Sequence, residues 1–308
     1  MSNEIVVDAL MPPAMAEKIE GVGVKKVGLD FWSMFVLAVL AGAFIALGGE
    51  FFTLVTTKSG LSFGMNRLVG GVAFCLGLIL VVVAGAELFT GNNLIVIAWV
   101  SGKVTLGQLM RNWIIVYFGN LVGSLITVML MYLTRQWTLD SYGVGVTALN
   151  IANAKVSLTF ADALARGIMC NALVCLAIWL CLSARSVVDK ILAIVFPITA
   201  FVASGFEHSI ANMYFIPLGL LLKSEPKVLE AAGKTLSDLP NLTWQGFFVG
   251  NLLPVTIGNI FGGGFMVALV YWFVYRRPQI GKRYGAKQIV DLFVGSPSTQ
   301  NQDTAKQN

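Results

Sequence analysis

Charge is what this sequence has least of. Asp, Glu, Lys and Arg together make up 12% of its 308 residues, about half the share usual in a soluble domain. The mean hydropathy is +0.78. An ordinary water-soluble globule is thereby excluded, and the composition reads as one integral polytopic membrane domain. Histidine is scarcer still, with His208 alone in the chain. One histidine among apolar runs supplies no nucleophile, acid/base pair or metal cluster, so the reading is not an enzyme, and no cofactor or metal is expected. It also excludes the twin-histidine pattern of an ammonium channel. The four cysteines (Cys75, Cys170, Cys175, Cys181) all fall in apolar runs without zinc-type spacing, which leaves packing as their role. No cleavable signal peptide is visible, because residues 1–30 carry Asp8, Glu17, Glu20 and Asp30 and lack an early apolar core. The first span then serves as its own insertion signal. Paired Asn-Pro-Ala motifs of a water or glycerol channel are missing. The net charge of +5 comes from basic residues between apolar spans, with no dense patch for nucleic acid.

Long apolar runs are what the chain does have. Six lie near 31–56, 65–100, 110–134, 158–184, 190–222 and 246–275, each meeting the roughly 20 residues a spanning helix needs. An even count puts both termini on one side. Lys25-Lys26 and the series Arg276-Arg277, Lys282-Arg283 and Lys287 make that side cytoplasmic. The short loops are less decisive: 101–109 carries only Lys103, and in 223–245 Lys223, Lys227 and Lys234 are balanced by acids. The chain divides into a cytoplasmic segment 1–30, a six-helix domain 31–276 and a basic cytoplasmic tail 277–308. In the first segment Met15, Ile19 and Val22 follow Pro12-Pro13 on one face. That pattern fits a short amphipathic helix at the membrane surface or pore mouth, or a poorly ordered tail.

The second and fifth runs are too long for one straight crossing, and each contains a polar interruption. One is Gly85-Ala86-Glu87-Leu88-Phe89-Thr90-Gly91-Asn92-Asn93. The other is Ser204-Gly205-Phe206-Glu207-His208-Ser209-Ile210-Ala211-Asn212. Non-helical backbone at bilayer depth has to be buried in protein or line a cavity, so both are candidates for broken helices around a pathway. Gly85, Glu87 and Asn92 recur as Gly205, Glu207 and Asn212 with identical spacing. Val116–Gly123 stands against Val255–Gly262, with Gly119-Asn120 matching Gly258-Asn259, and the register continues to Tyr132 and Tyr271. Halves of three spans each run in opposite directions, so the expected architecture is an inverted 3+3 repeat, with its ligand site near the midplane. Gly119, Gly123, Gly258, Gly262, Gly263 and Gly264 are read as close helix packing without a ligand role.

The run Ala203–Met213, Leu88-Phe89-Thr90, Asn112-Trp113, Val116–Gly123 and Pro254–Ile260 resembles the formate/nitrite transporter family, over about Leu10 to Arg276. The similarity points most to the bacterial formate channels. The resemblance implies an all-α integral membrane protein of six transmembrane helices, with the second and fifth broken, in an aquaporin-like protomer of a homopentamer. It implies passage of formate or a similar small anion across the bacterial inner membrane. Nitrite, hydrosulfide and a proton-coupled formate transporter stay open as alternatives. Residues 1–30 can also be read as a docking segment for an enzyme of formate metabolism.

Several residues carry this chemistry. An ionisable group inside a span is costly and a functional candidate by default. His208 can donate a hydrogen bond to a carboxylate or pass it a proton, since imidazole titrates near neutral pH; the plain alternative is a structural histidine bonded to Glu207 or a backbone carbonyl. By resemblance Thr90 faces His208 across the pore; its other reading is a helix cap. Asn171 and Asn259 are pathway polar groups by resemblance, or interhelical hydrogen bonds. Leu88, Phe89 and Val174 resemble the constriction on the cytoplasmic side, and Phe74, Leu78 and Phe201 the opposing apolar gate. Glu207, Asn212 and Lys155 resemble one polar network, with Lys155 concentrating anions at the outer mouth or standing as a solvated loop lysine.

Overall fold

The computed structural model describes residues 9–279, so Lys282, Arg283, Lys287 and most of the basic tail lie outside the described residues. All regular structure among the described residues is helical. In chain order it comprises α1 (Pro12–Val27), α2 (Phe31–Thr56), α3 (Phe63–Gly85), α4 (Phe89–Val100), α5 (Leu106–Thr134) and α6 (Gly143–Val156). There follow α7 (Phe160–Ser183), α8 (Val187–Ala203), α9 (Ser209–Leu222), α10 (Pro226–Ala232) and α11 (Gly246–Gln279). Side chains fix several starting points. Asp30 accepts from the Ser33 N–H at 3.0 Å, Thr159 from Asp162 at 3.1 Å, and Thr105 and Ser186 head capping boxes. Each such cap contributes about 1 kcal/mol.

Five helices, α2, α3, α5, α7 and α11, are long and apolar enough to cross a membrane, while α4 and α9 are shorter apolar helices. Their outer faces carry exposed Leu133, Leu180 and Val249, a surface suited to lipid and costly in water.

Two helix pairs approach closely through glycine. In α5, a Cβ on Gly119 would strike the Ala38 methyl of α2, and one on Gly123 the α2 backbone at Val39. In α11, a Cβ on Gly258 or Gly262 would strike the α7 backbone at Leu164 and Ile168. This is the small-residue packing by which helices associate without water to drive them together.

Between α3 and α4 the chain turns at Gly85 (φ +82) and runs extended through Ala86 and Leu88; between α8 and α9 it turns at Gly205 (φ +71). A left-handed backbone without a Cβ penalty is available there only to glycine. Segment 12–27 is a helix packed on the body: Met15, Ala16 and Ile19 are buried among Ile95, Ala98 and Trp179. Its Glu20, fully buried, is held by Arg276 Nε (2.7 Å), Ser101 Oγ (2.9 Å) and Lys103. Burial alone would raise the Glu20 pKa, but the bonds from Arg276, Lys103 and Ser101 outweigh it and hold it below the usual carboxylate value.

Candidate functional site

Two cavities have separate linings, and they take the names outer and inner from the orientation expected from the sequence. The outer, about 190 Å³, is lined by Arg67, Lys155, Arg166, Phe201, Glu207 and His208 among others. The inner, about 470 Å³, is lined by Lys25, Lys26, Gly85, Glu87, Leu88 and Asn92 among others. No lining residue is shared. His208 lines the outer cavity and Leu88 the inner one, and both are buried, as are Leu78 and Thr90.

Each interruption is held by the same set of bonds. At the first, Glu87 accepts from Lys26 Nζ (2.6 Å) and Asn92 Nδ2 (2.7 Å), and Asn92 also donates to Asn112 Oδ1 (2.9 Å). At the second, Glu207 accepts from Lys155 Nζ (2.9 Å) and Asn212 Nδ2 (2.7 Å), and Asn212 donates to Asn251 Oδ1 (2.7 Å). The backbone is pinned in matching fashion. Asn120 accepts from Phe89 N–H (2.9 Å) and donates to the carbonyls of Ala38 (2.7 Å) and Glu87 (2.9 Å). Asn259 accepts from Ser209 N–H (2.9 Å) and donates to those of Gly167 (2.8 Å) and Glu207 (3.0 Å). Buried amides without such partners would be costly at this depth. The network Glu207, Asn212 and Lys155 is thus joined in the structure. Lys155 lies on α6 with its side chain 15% exposed, so it is not a solvated loop lysine.

The sequence marks Glu87, Asn92 and Asn120 only as positions of the repeat, Asn112 only within a resembling motif and Lys26 only as a topological charge, and it leaves Asn251 unmarked, although two further signals are present. Lys26-Val27-Gly28-Leu29-Asp30-Phe31 matches Lys155-Val156-Ser157-Leu158-Thr159-Phe160. Asn112 and Asn251 also keep the spacing that separates Asn120 from Asn259.

Aligned on these bonds, the position equivalent to His208 is Leu88, and each is the residue capping its helix start. His208 Nδ1 accepts from the Ala211 N–H at 3.1 Å, and Nε2 lies 2.9 Å from Thr90 Oγ1. An Nδ1 that accepts leaves the proton of the neutral ring on Nε2, so the tautomer follows from the bonding. Neither Glu207 nor a carbonyl is the partner of the ring. Thr90 does not cap α4; the Phe89 N–H there is taken by Asn120, and the Thr90 side chain is free to meet the histidine.

The remaining candidates divide by location. Phe201 stacks along the His208 ring at 6.0 Å and meets Phe74 edge-on at 5.7 Å, both lining the outer cavity. Phe215, unassigned from sequence, lines it too and lies under Lys155 Nζ at 5.3 Å. Leu88 lines the inner cavity. Leu78, Phe89 and Val174 are buried and line neither; Phe89 packs edge-on to Tyr117 at 4.9 Å. Asn171 donates to Asn93 Oδ1 (2.8 Å) and to the carbonyl of Asn259 (2.7 Å). The amide atoms of Asn259 are all committed to the second interruption, the interhelical role that is the plain reading of such residues.

The family model "Formate/nitrite transporter" matches residues 13–273. A "Formate channel FocA" of Escherichia coli (strain K12) is 47% identical over 273 residues, covering 88% of this chain and 96% of that protein. Among solved structures, a "Pentameric formate channel with formate bound" aligns with TM-score 0.75 at 45% identity, over 80% of this chain and 97% of that one. An "FNT family ion channel" aligns with TM-score 0.73 at 28% identity, over 84% and 98%.

Proposed function

The chain belongs to the formate/nitrite transporter family, and on that premise we propose that it is a channel, not an enzyme, moving formate and similar small monovalent anions across the bacterial inner membrane. The observation that carries this reading is the buried Thr90 Oγ1–His208 Nε2 contact of 2.9 Å, with His208 lining one cavity and Leu88 and Gly91, on either side of Thr90, lining the other. A bare anion crossing an apolar neck loses its hydration at great cost unless a donor replaces it. With Nδ1 engaged by Ala211, the Nε2–H is the donor aimed at the pathway. A carboxylate oxygen displaces Thr90 from that N–H, and Thr90 donates its hydroxyl to the same anion. Proton transfer from a charged ring, with formic acid as the moving species, is the alternative step. The Ala211 bond favours plain hydrogen bonding, because it keeps Nδ1 as an acceptor.

The flanking apolar groups complete the neck. Phe74, Phe201 and Leu78 form its outer gate and Leu88, Phe89 and Val174 the inner one, Leu78, Phe89 and Val174 acting by supporting the wall from behind. Lys155 with Glu207 and Asn212 anchors the outer mouth, and Asn171 with Asn259 holds the backbone around Thr90 and Ser209. The recurring bonds support an inverted 3+3 arrangement of six spans in an aquaporin-like protomer, with the second and fifth spans interrupted at Ala86–Leu88 and Gly205–Glu207. The formate-bound pentameric relative supports a homopentamer. Lys103 and Arg276 meet at Glu20 of α1, and Arg111 donates to the carbonyls of Val27 and Leu29 just past Lys25 and Lys26, a basic cluster that supports cytoplasmic termini. The channel domain is assigned to 31–276, flanked by the segment 1–30 and the tail 277–308.

Liposome flux tests the reading with formate, nitrite, hydrosulfide and chloride at two pH values. Formate is expected to pass fastest, and His208→Phe to reduce its flux at least tenfold. Nitrite outrunning formate overturns the substrate assignment. Full formate flux in His208→Phe overturns the role of the histidine.

A further inference from the structure

The two mouths share a bonding frame but differ in charge. In each, one lysine is neutralised by one glutamate: Lys155 by Glu207 at 2.9 Å and Lys26 by Glu87 at 2.6 Å. What remains at the inner mouth is Lys25. At the outer mouth it is two guanidinium groups, Arg67 and Arg166. Neither has a carboxylate partner among the described residues. The position equivalent to Arg166 at the inner end is Leu37: the Glu207 N–H donates to the Arg166 carbonyl at 3.3 Å and the Glu87 N–H to that of Leu37 at 3.2 Å.

Arg67 is the more closely placed of the two. Its Nε donates to the Ala203 carbonyl at 3.0 Å, closing the end of α8. Its Nη2 extends over Gly205, only 2.7 Å from where a Cβ would stand. Gly205 therefore serves two needs, a left-handed turn and room for a cation at the break itself. Gly85, at the matching turn of the inner mouth, has nothing within 4 Å of such a Cβ. The outer break is built around a guanidinium and the inner one is not.

We infer that Arg67 and Arg166 form an anion-capture site in the outer cavity, ahead of His208, for a small planar oxyanion with two oxygens. A guanidinium fork matches such an anion better than an ammonium does, and it holds its charge at every physiological pH. Lys155, being paired with Glu207, sets the shape of the mouth, and the two arginines supply its field. The inference rests on the anion-channel reading above. In a water-filled mouth, removing one charge ~7 Å from the anion lowers its local concentration about threefold. That effect is screened once the Debye length falls well below this distance.

The test is formate uptake into proteoliposomes at low formate, with ionic strength set by sodium gluconate. Arg67→Gln removes the charge and keeps an amide donor for the Ala203 carbonyl; Arg67→Lys and Arg166→Gln accompany it. Each is first confirmed to retain the oligomer of the unsubstituted protein by size-exclusion chromatography. Arg67→Gln and Arg166→Gln are each expected to slow uptake about threefold at ~10 mM ionic strength and to converge on the unsubstituted rate at ~0.5 M. Arg67→Lys is expected to keep the salt dependence. A deficit in Arg67→Gln that persists unchanged at high salt overturns the inference, since it marks Arg67 as a helix-end cap only. So does the absence of any deficit at low salt. Failure of the unsubstituted protein to carry formate at all removes the channel reading itself, a distinct result.

Discussion

Asn120 and Asn259 offer the sharpest test of the frame, because the structure gives them the same work in two places. Each accepts one backbone N–H and donates to two backbone carbonyls, with all six distances between 2.7 and 3.0 Å. Replacing either with alanine orphans a buried N–H, which costs about 1–3 kcal/mol, and removes two further bonds at about 1 kcal/mol each. The sum is about 3–5 kcal/mol per site, and the two variants should lose similar amounts because the partners correspond one for one. Unfolding by SDS in mixed micelles, followed by tryptophan fluorescence, measures the loss. Asn→Asp at either position retains the acceptor and forfeits both donors. It should therefore be at least as damaging as alanine, with an added charge buried beside Glu87 or Glu207. The reasoning is refuted if one alanine variant is neutral while the other is severe. That result would mean that the matched bonds are a geometric coincidence and that only one interruption depends on its asparagine.

The paired glutamates and the N-terminal clasp make further predictions. Lys155→Gln should destabilise the protein by about 3–5 kcal/mol by leaving Glu207 buried and unpaired. Adding Glu207→Gln should restore most of that loss in the same assay; a double variant worse than the single would contradict the ion-pair account. Glu20 has a depressed pKa in the folded state, so its contribution is present above the unfolded value of ~4.3 and is lost only as pH falls through the lower folded one. Proteolysis within α1 is therefore expected to stay flat from pH 7 to pH 5. Glu20→Gln should accelerate it throughout, and release of α1 with a midpoint near pH 6 would count against the clasp.

Much of this was legible in the chain itself. The apolar runs located the long helices, and Gly85 and Gly205 marked the two turns because few residues other than glycine adopt that backbone. The glycines of α5 and α11 reported close packing through their spacing. What stayed hidden was pairing across distance. Segment 12–27 reads as an amphipathic surface helix or a tail, and the match of 26–31 to 155–160 is only six residues long, too short to show that Lys26 meets Glu87. Asn120 and Asn259 look alike in sequence, but nothing there says that their amides hold backbone instead of ligand. The tautomer of His208 depends on an N–H three residues ahead of it, and the cation over Gly205 comes from a helix more than a hundred residues away. Both are facts of three-dimensional placement.

The correspondence between the halves also separates scaffold from chemistry. The main frame that pins the interruptions is duplicated: two lysines, two glutamates and three pairs of asparagines. Besides Arg67 and Arg166, what is not duplicated is the helix-start position, which is Leu88 at one break and His208 at the other. A leucine there presents methyl groups and leaves its side of the neck dry. A histidine in the same backbone position caps its helix with one nitrogen and turns the other toward the pathway. On the proposed pathway an anion entering from either cavity passes an apolar gate before it reaches the donor, but His208 itself lines the outer cavity and Leu88 the inner one. A passive pore cannot use this to favour one direction, since equilibrium demands equal permeability both ways. The asymmetry instead acts on concentration dependence. On the proposed roles, flux from the side with the donor and the two arginines is expected to saturate at the lower anion concentration, which zero-trans uptake from each face of oriented proteoliposomes measures.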